Sequence, residues 1–266
     1  MAWYTGNTLY DTLLIIGFVY AAGIAFSARY GTAAYGGRFG PKSKGIKFHP
    51  KLGWVLMELP ALIFFPVFFF WGEHWSAPGA LAILAIWMVH YLNRALINPM
   101  MMRVQPGTPA SFNINVVVIG WVVLILHSYL NGAYAGGLGR HIWESDWISD
   151  PRFVIGVLVW AAGFTINVWS DAIIRNLRPK NPGPDDPRYR IPEGGLFRFV
   201  SCPHYLGELI SFVGLSIFTW GLGGVFILAV TAGNLIPRAL KTHRWYQKTF
   251  PDTYPAGRKA IIPGVL

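Results

Sequence analysis

Residues 54–72 read WVLMELPALIFFPVFFFWG, a run with a single charged side chain, Glu58. About 20 consecutive apolar residues carry a helix across the hydrocarbon core of a bilayer. Six further stretches meet that requirement, at approximately 8–27, 79–102, 112–131, 152–171, 204–222 and 224–246. Unpaired backbone groups are too costly in lipid, so these spans are expected as helices rather than open strands. Only Gly221, Gly223 and Gly224 separate the last two, so their boundary is the least defined. The expected fold class is an all-α integral membrane protein, a seven-transmembrane-helix bundle. No repeat, low-complexity segment or break in composition divides it, and residues 1–266 read as one membrane domain.

Composition agrees. Of 266 residues, 53% are hydrophobic and 13% charged, against about 25% charged in an average soluble domain. So few charges do not cover a soluble surface. Twelve Trp, 12 Tyr and 18 Phe supply the amphipathic rings that gather at membrane interfaces. The one cysteine, Cys202, excludes an intrachain disulfide framework. The first run, Thr8 to Ser27, has no basic segment ahead of it and reads as a retained span, not a cleaved signal.

The formal net charge of +10 would fit a nucleic-acid binder, but its distribution does not. Arg29, Arg38, Lys42, Lys44, Lys47 and Lys51 follow the first span with no acid among them. Arg175, Arg178, Lys180, Arg188, Arg190 and Arg198 follow the fifth, and the tail is also basic. Glu73, and then Glu144, Asp146 and Asp150, mark the alternate connections. This alternation is the positive-inside pattern of a seven-span chain with its N-terminus outside and its C-terminus in the cytosol. The excess is mostly topology, with room for a polyanionic ligand, and DNA or RNA is not expected.

Five ionisable residues fall within or at the ends of spans: Glu58, Arg94, Asp171, Glu208 and Arg238. Such groups are expensive in hydrocarbon and face a partner or an interior cavity. Structural ion pairs between helices would account for any one of them. Five on different spans favour a shared polar pocket. Glu58, just ahead of Leu59-Pro60, is either neutralised by protonation or paired, and a neutral carboxylic acid is a hydrogen-bond donor suited to a carbonyl oxygen. In His90-Tyr91-Leu92-Asn93-Arg94, Arg94 comes three residues after Tyr91 and nearly shares its helical face. An interfacial tyrosine beside a core histidine would give the same spacing.

The densest polar stretch runs from Asn167 to Glu208. Asn167, Asp171, Arg175 and Arg178 form a stripe on one helical face. A Pro/Asp-rich loop follows, then Tyr189-Arg190-Ile191-Pro192-Glu193-Gly194-Gly195. Arg178 and Arg190 flank the loop as guanidinium forks that match a pyrophosphate, although juxtamembrane arginines also serve topology and anionic lipid. No GxGxxG follows a strand-like run, so a Rossmann site is excluded and any dinucleotide must be held between helices, with the cytosolic loops closing over the cofactor site.

These residues resemble the steroid 5α-reductase family of membrane enzymes. The resemblance is strongest over 163–266, in Asn167-Val168-Trp169-Ser170-Asp171, Tyr189-Arg190-Ile191-Pro192, Gly194-Gly195-Leu196-Phe197, Tyr205-Leu206-Gly207-Glu208, Arg244-Trp245-Tyr246 and Arg258-Lys259-Ala260-Ile261-Ile262-Pro263. Earlier pieces are Met57-Glu58-Leu59-Pro60 and His90-Tyr91 with Arg94. It implies NADPH-dependent reduction of the Δ4 double bond of 3-oxo steroids to 5α products. Glu58 and Tyr91 would be the catalytic residues holding the 3-keto oxygen. Asn167, Asp171, Arg178, Tyr189, Arg190, His204, Glu208 and Tyr246 would surround NADPH, with Arg103 beside them and no metal. Many members carry Asn where His204 stands, and the acidic insert at 182–187 has no clear counterpart. The implied partners are a steroid-like substrate entering from the bilayer, membrane lipid and NADPH from the cytosol. The chain would act as a monomer in a bacterial inner membrane or the endoplasmic reticulum.

Two other readings remain at this point. Pro203-His204-Tyr205-Leu206-Gly207 overlaps a pattern of small membrane methyltransferases that use S-adenosylmethionine, but those carry Arg-His-Pro where Ser201-Cys202-Pro203 stands here and lack the Glu58 and Tyr91 pairing. A transporter predicts repeats or paired broken helices, and none is found in the sequence.

Overall fold

The structure, a computed structural model, describes residues 4–30, 45–104, 108–179, 187 and 189–266. Arg38, Lys42, Lys44, Lys180, Arg188 and most of the acidic insert, 182–186, lie outside the described residues.

Helix α1 (Thr8–Tyr30) is followed by β1 (Lys47–Phe48) and α2 (Pro50–Phe70). Next, α3 (Pro78–Leu92) continues through a π-helical turn (Asn93–Ile97) into the short α4 (Asn98–Met101). After β2 (Phe112–Asn113), α5 (Ile114–Ala133) ends in a second π-helical turn (Tyr134–Leu138), with α6 (Arg140–Glu144) beyond it. The second half holds α7 (Pro151–Asn176), α8 (Pro203–Thr219) and α9 (Leu222–Thr249). Among the described residues the only sheet is β1 against β2, antiparallel, with Lys47 opposite Asn113 and Phe48 opposite Phe112.

Local sequence explains where helices start. Pro50, Pro78, Pro151 and Pro203 open α2, α3, α7 and α8, positions where the missing N–H costs nothing and φ is already helical. The Asn113 side chain caps α5 by accepting from Asn115 N at 2.8 Å, and Asp150 caps α7 by accepting from Arg152 N at 2.8 Å.

Among the described residues, six helical stretches are long and apolar enough to cross a membrane: Thr8–Tyr30, Pro50–Phe70, Pro78–Met101, Ile114–Leu138, Pro151–Asn176 and Leu222–Thr249. They make the chain a multi-pass membrane protein. The segment expected as a span over 204–222 is α8, of 17 residues. Its boundary with α9 falls at Trp220, left-handed at φ 48°, and Gly221. Leu9, Ile15, Ile16, Val19 and Phe26 of α1 stand exposed, a contiguous apolar surface of the kind that faces lipid.

The interior forms around close helix contacts. A Cβ on Gly163 of α7 would meet the Gly207 carbonyl oxygen of α8 at 2.6 Å, and one on Gly207 would meet Gly163 O at 2.7 Å. Only glycine allows this approach, which brings Asn167 of α7 beside Glu208 of α8. On the other side, Trp87 of α3 stacks on Phe65 of α2 with centroids 3.9 Å apart and donates from Nε1 to Ala61 O at 2.9 Å. At the end of α8, Trp147 Nε1 donates to Phe218 O at 2.9 Å, and His141 Nε2 lies 3.1 Å from Thr219 O. These partners satisfy carbonyls that a helix C-terminus leaves open. At its other end the C-terminal segment folds back: Ser201 N donates to Lys259 O at 2.8 Å and Cys202 N to Ala260 O at 3.1 Å.

Candidate functional site

Arg94 projects from the π-helical turn that continues α3. Its Nε lies 3.2 Å from Glu58 Oε1 of α2, and its Nη1 3.0 Å from Glu208 Oε2 of α8. The guanidinium also stands over the Trp54 ring, 5.5 Å from its centroid. Both carboxyls are buried, at 3% exposure for Glu58 and 2% for Glu208. Two carboxyls against one guanidinium balance when one of them keeps a proton. Glu58 therefore stands against a cation, with the trio's one proton held by it or by Glu208.

Around this trio the polar groups are tied together. Asn167 Nδ2 donates to Glu208 Oε2 at 3.1 Å and to His204 O at 2.9 Å. Asn98 Nδ2 donates to Asp171 Oδ2 at 2.8 Å. His90 Nε2 stands 4.0 Å from Glu208 Oε1. Arg238 Nε donates to the Tyr205 hydroxyl at 3.1 Å. Tyr91 is buried at 2% exposure, its ring 4.7 Å from that of Trp87 and 5.0 Å from that of His90.

Above the trio opens a cavity of about 410 Å³, within the size range of small-molecule sites. All nine residues expected around a dinucleotide line it: Arg103, Asn167, Asp171, Arg178, Tyr189, Arg190, His204, Glu208 and Tyr246. Six arginines and two acids contribute to its wall. Arg103 and Arg178 hold each other through backbone carbonyls, Arg103 Nη1 to Arg178 O at 2.6 Å and Arg178 Nη1 to Arg103 O at 2.8 Å. Arg178 lies past the end of α7, in the turn, yet shares the cavity with the stripe that precedes it. Gly194 and Gly195 adopt φ of +87° and +48°, so the pair is used to turn the chain into the segment before α8.

The two residues expected at the substrate carbonyl do not line that cavity. Tyr91 instead borders a void of about 10 Å³ together with Trp87, His90 and Phe212. Glu58 meets the cavity indirectly, through Arg94. Arg94 and Arg238, expected only as buried charges, also line the cavity, as do Trp54, Asn98, Ser201, Tyr205 and Thr242, which were not expected there. For Asn98 a signal existed: His90, Tyr91, Arg94 and Asn98 run along one side of an apolar helix.

A model of the 3-oxo-5-alpha-steroid 4-dehydrogenase family matches residues 110–266. Steroid 5-alpha-reductase DET2 of Solanum lycopersicum is 31% identical over 235 residues, 88% of this chain and 88% of that protein. The protein of the same name in Arabidopsis thaliana is 33% identical over 81% of both chains. 3-oxo-5-alpha-steroid 4-dehydrogenase 1 of Homo sapiens is 35% identical, with 80% of this chain and 79% of that one covered. The chain belongs to the 3-oxo-5-alpha-steroid 4-dehydrogenase family.

Proposed function

We propose that this chain reduces the Δ4 double bond of 3-oxo steroids, with NADPH as the reductant and 5α-reduced 3-oxo steroids as products. The observation that carries the reading is the joining of two environments. A cavity with Arg103, Arg175, Arg178, Arg190 and Arg238 in its wall ends on a buried trio, Arg94 with Glu58 and Glu208, and Tyr91 is buried on the same helix as Arg94. The arginine wall suits the phosphates of a dinucleotide. S-adenosylmethionine carries one carboxylate and no phosphate, a poorer match to so many arginines, so beyond the 203–207 overlap the site does not favour the methyltransferase alternative.

In this reading Arg103, Arg178 and Arg190 take the phosphates, with Tyr189 and Tyr246 beside them. Asn167, Asp171, His204 and Glu208 hold the nicotinamide end. Bound there, NADPH supplies a hydride to C5 of the enone. Charge would then move through C4 to the 3-oxygen, and a solvent proton at C4 would complete the reduction. The Tyr91 hydroxyl and the Glu58 carboxyl would donate hydrogen bonds to that oxygen once the steroid enters beside the small void that Tyr91 borders. One such donor in a dry site contributes about 3–4 kcal/mol to the barrier reduction. Arg94 makes the arrangement coherent: it neutralises Glu208 and holds Glu58 in place, and the proton that balances the trio makes Glu58 a donor.

The remaining expectations belong to the same proposal. The whole chain acts as one membrane domain and as a monomer, with 163–266 carrying most of the cofactor site. Helix α8, at the short end of the range that spans a bilayer, crosses as a seventh helix. Loops on the cytosolic side close over the cofactor, and the steroid enters from the bilayer. The N-terminus lies outside and the C-terminus in the cytosol; a C-terminal reporter active only on the far side of the membrane would contradict this topology. Loss of NADPH absorbance on adding Δ4-3-oxo steroids to detergent-purified protein tests the activity. No steroid-dependent oxidation across a panel would count against it.

A further inference from the structure

Ser201 lies where the segment before α8 meets the C-terminal tail, and its hydroxyl has three partners. His243 Nδ1 is 2.6 Å away, the Tyr254 hydroxyl 2.6 Å and the Lys259 carbonyl oxygen 3.0 Å. A serine hydroxyl has one proton and two lone pairs. The Lys259 carbonyl can only accept, so all three contacts are used when Ser201 donates to it and accepts from both His243 and Tyr254. Gln247 makes this possible. Its Nε2 stands 3.0 Å from His243 Nε2, and an amide N–H pointing there leaves the ring proton on Nδ1.

Every contact then has one donor and one acceptor, and the Lys259 carbonyl accepts from the Ser201 hydroxyl as well as from Ser201 N. Gln247 donates to His243, His243 and Tyr254 donate to Ser201, and Ser201 donates to the tail carbonyl. Ser201 is 2% exposed and Tyr254 9%, so losing a member leaves a buried polar group unpaired, which is the costly outcome. The chain of bonds touches the cavity directly. Ser201, Thr242 and Tyr246 are in its wall, and Tyr246, three residues after His243 on α9, stacks on Tyr254 with ring planes 6° apart and centroids 5.4 Å apart.

We infer that His243 is a positioning residue: by donating from Nδ1 to Ser201 it docks the C-terminal segment and, through Tyr254, sets Tyr246 against the dinucleotide. This rests on the NADPH reading of the cavity, but the docking itself does not. The requirement is a donor at the position of Nδ1, which separates it from simple packing.

The test compares His243→Asn, whose amide nitrogen can stand where Nδ1 does, with His243→Leu, which fills space without a donor. If the leucine variant does not fold, His243→Phe takes its place as the variant without a donor, and Tyr254→Phe removes the other donor to Ser201. Hydrogen exchange of the ligand-free, detergent-purified protein reads docking. Amides of Lys259, Ser201 and Cys202, which bond across the junction, are expected to stay protected in His243→Asn, and to exchange about tenfold faster in His243→Leu and Tyr254→Phe. Titration with NADPH reads the cavity wall. Affinity should be retained in His243→Asn and about tenfold weaker in the other two, with turnover at saturating cofactor within about threefold of wild type. Equal tail exchange in His243→Asn and His243→Leu overturns the donor chain. Released tails with unchanged NADPH affinity overturn the positioning role. A wild-type protein that binds no NADPH sinks the reductase reading and the positioning role together, whereas the exchange arm still decides the docking.

Discussion

Arg94 Nη1 stands 3.0 Å from Glu208 Oε2, joining a π-helical turn in the first half of the chain to the start of α8 in the second. The same guanidinium holds Glu58 on α2 at 3.2 Å. Removing it leaves two buried carboxyls facing each other with no cation between them. Arg94→Ala should destabilise the protein by about 3–5 kcal/mol, the usual result of orphaning a buried charge. Adding Glu208→Gln should recover part of that loss. Thermal unfolding in detergent measures both, and an Arg94→Ala protein as stable as wild type would show that the trio does not hold the bundle together.

Glu58 and Tyr91 separate a carbonyl site from a packing site. Glu58→Gln keeps a donor and the side-chain volume, so it should retain partial turnover, whereas Glu58→Ala should lose far more. Tyr91→Phe should lower turnover by roughly 10²–10³ with NADPH affinity unchanged, if its hydroxyl meets the developing oxyanion. If the two residues only pack, yield and melting temperature fall while turnover per cofactor-binding site stays near wild type.

Arg178 and Arg190 should act on the cofactor alone. Arg178→Ala or Arg190→Ala is expected to raise the KM for NADPH by at least tenfold, since a charged hydrogen bond contributes about 1.5–3 kcal/mol, and to leave the KM for steroid nearly unchanged. Because Arg178 also donates to Arg103 O at 2.8 Å, its loss should loosen Arg103 as well, making it the more severe of the two. Steady-state kinetics with each substrate varied in turn checks both statements; equal shifts for both substrates would point to general disruption.

Six of the seven expected spans were legible in the sequence because their signal is long and redundant: each is an apolar run near bilayer length. The cavity wall was legible for a different reason. Asn167, Asp171 and Arg175 repeat at helical spacing, whereas Arg103, Tyr189, His204 and Tyr246 were expected only through the family resemblance. Other features came from contacts between distant segments. Nothing local marks Asn93–Ile97 as π-helical, so the direction of Arg94 toward both Glu58 and Glu208 had no one-dimensional signature. Ser201, Thr242 and Tyr205 are ordinary polar residues until α8, α9 and the tail converge. The close contact of Gly163 with Gly207 depends on which helices are neighbours, and a glycine inside an apolar span gives no hint of its partner.

The central claim is that the cavity delivers a hydride to C5 while Glu58 and Tyr91 hold the 3-oxygen. Incubating purified protein with NADPH deuterated at the transferred C4 position and a Δ4-3-oxo steroid, then locating the label by NMR, tests it most directly. The account predicts one deuterium at C5 of a 5α-reduced 3-oxo product, solvent-derived hydrogen at C4, and loss of that product in Tyr91→Phe. Deuterium at C3 of an allylic alcohol, or an unlabelled steroid with NADPH unconsumed, would contradict it.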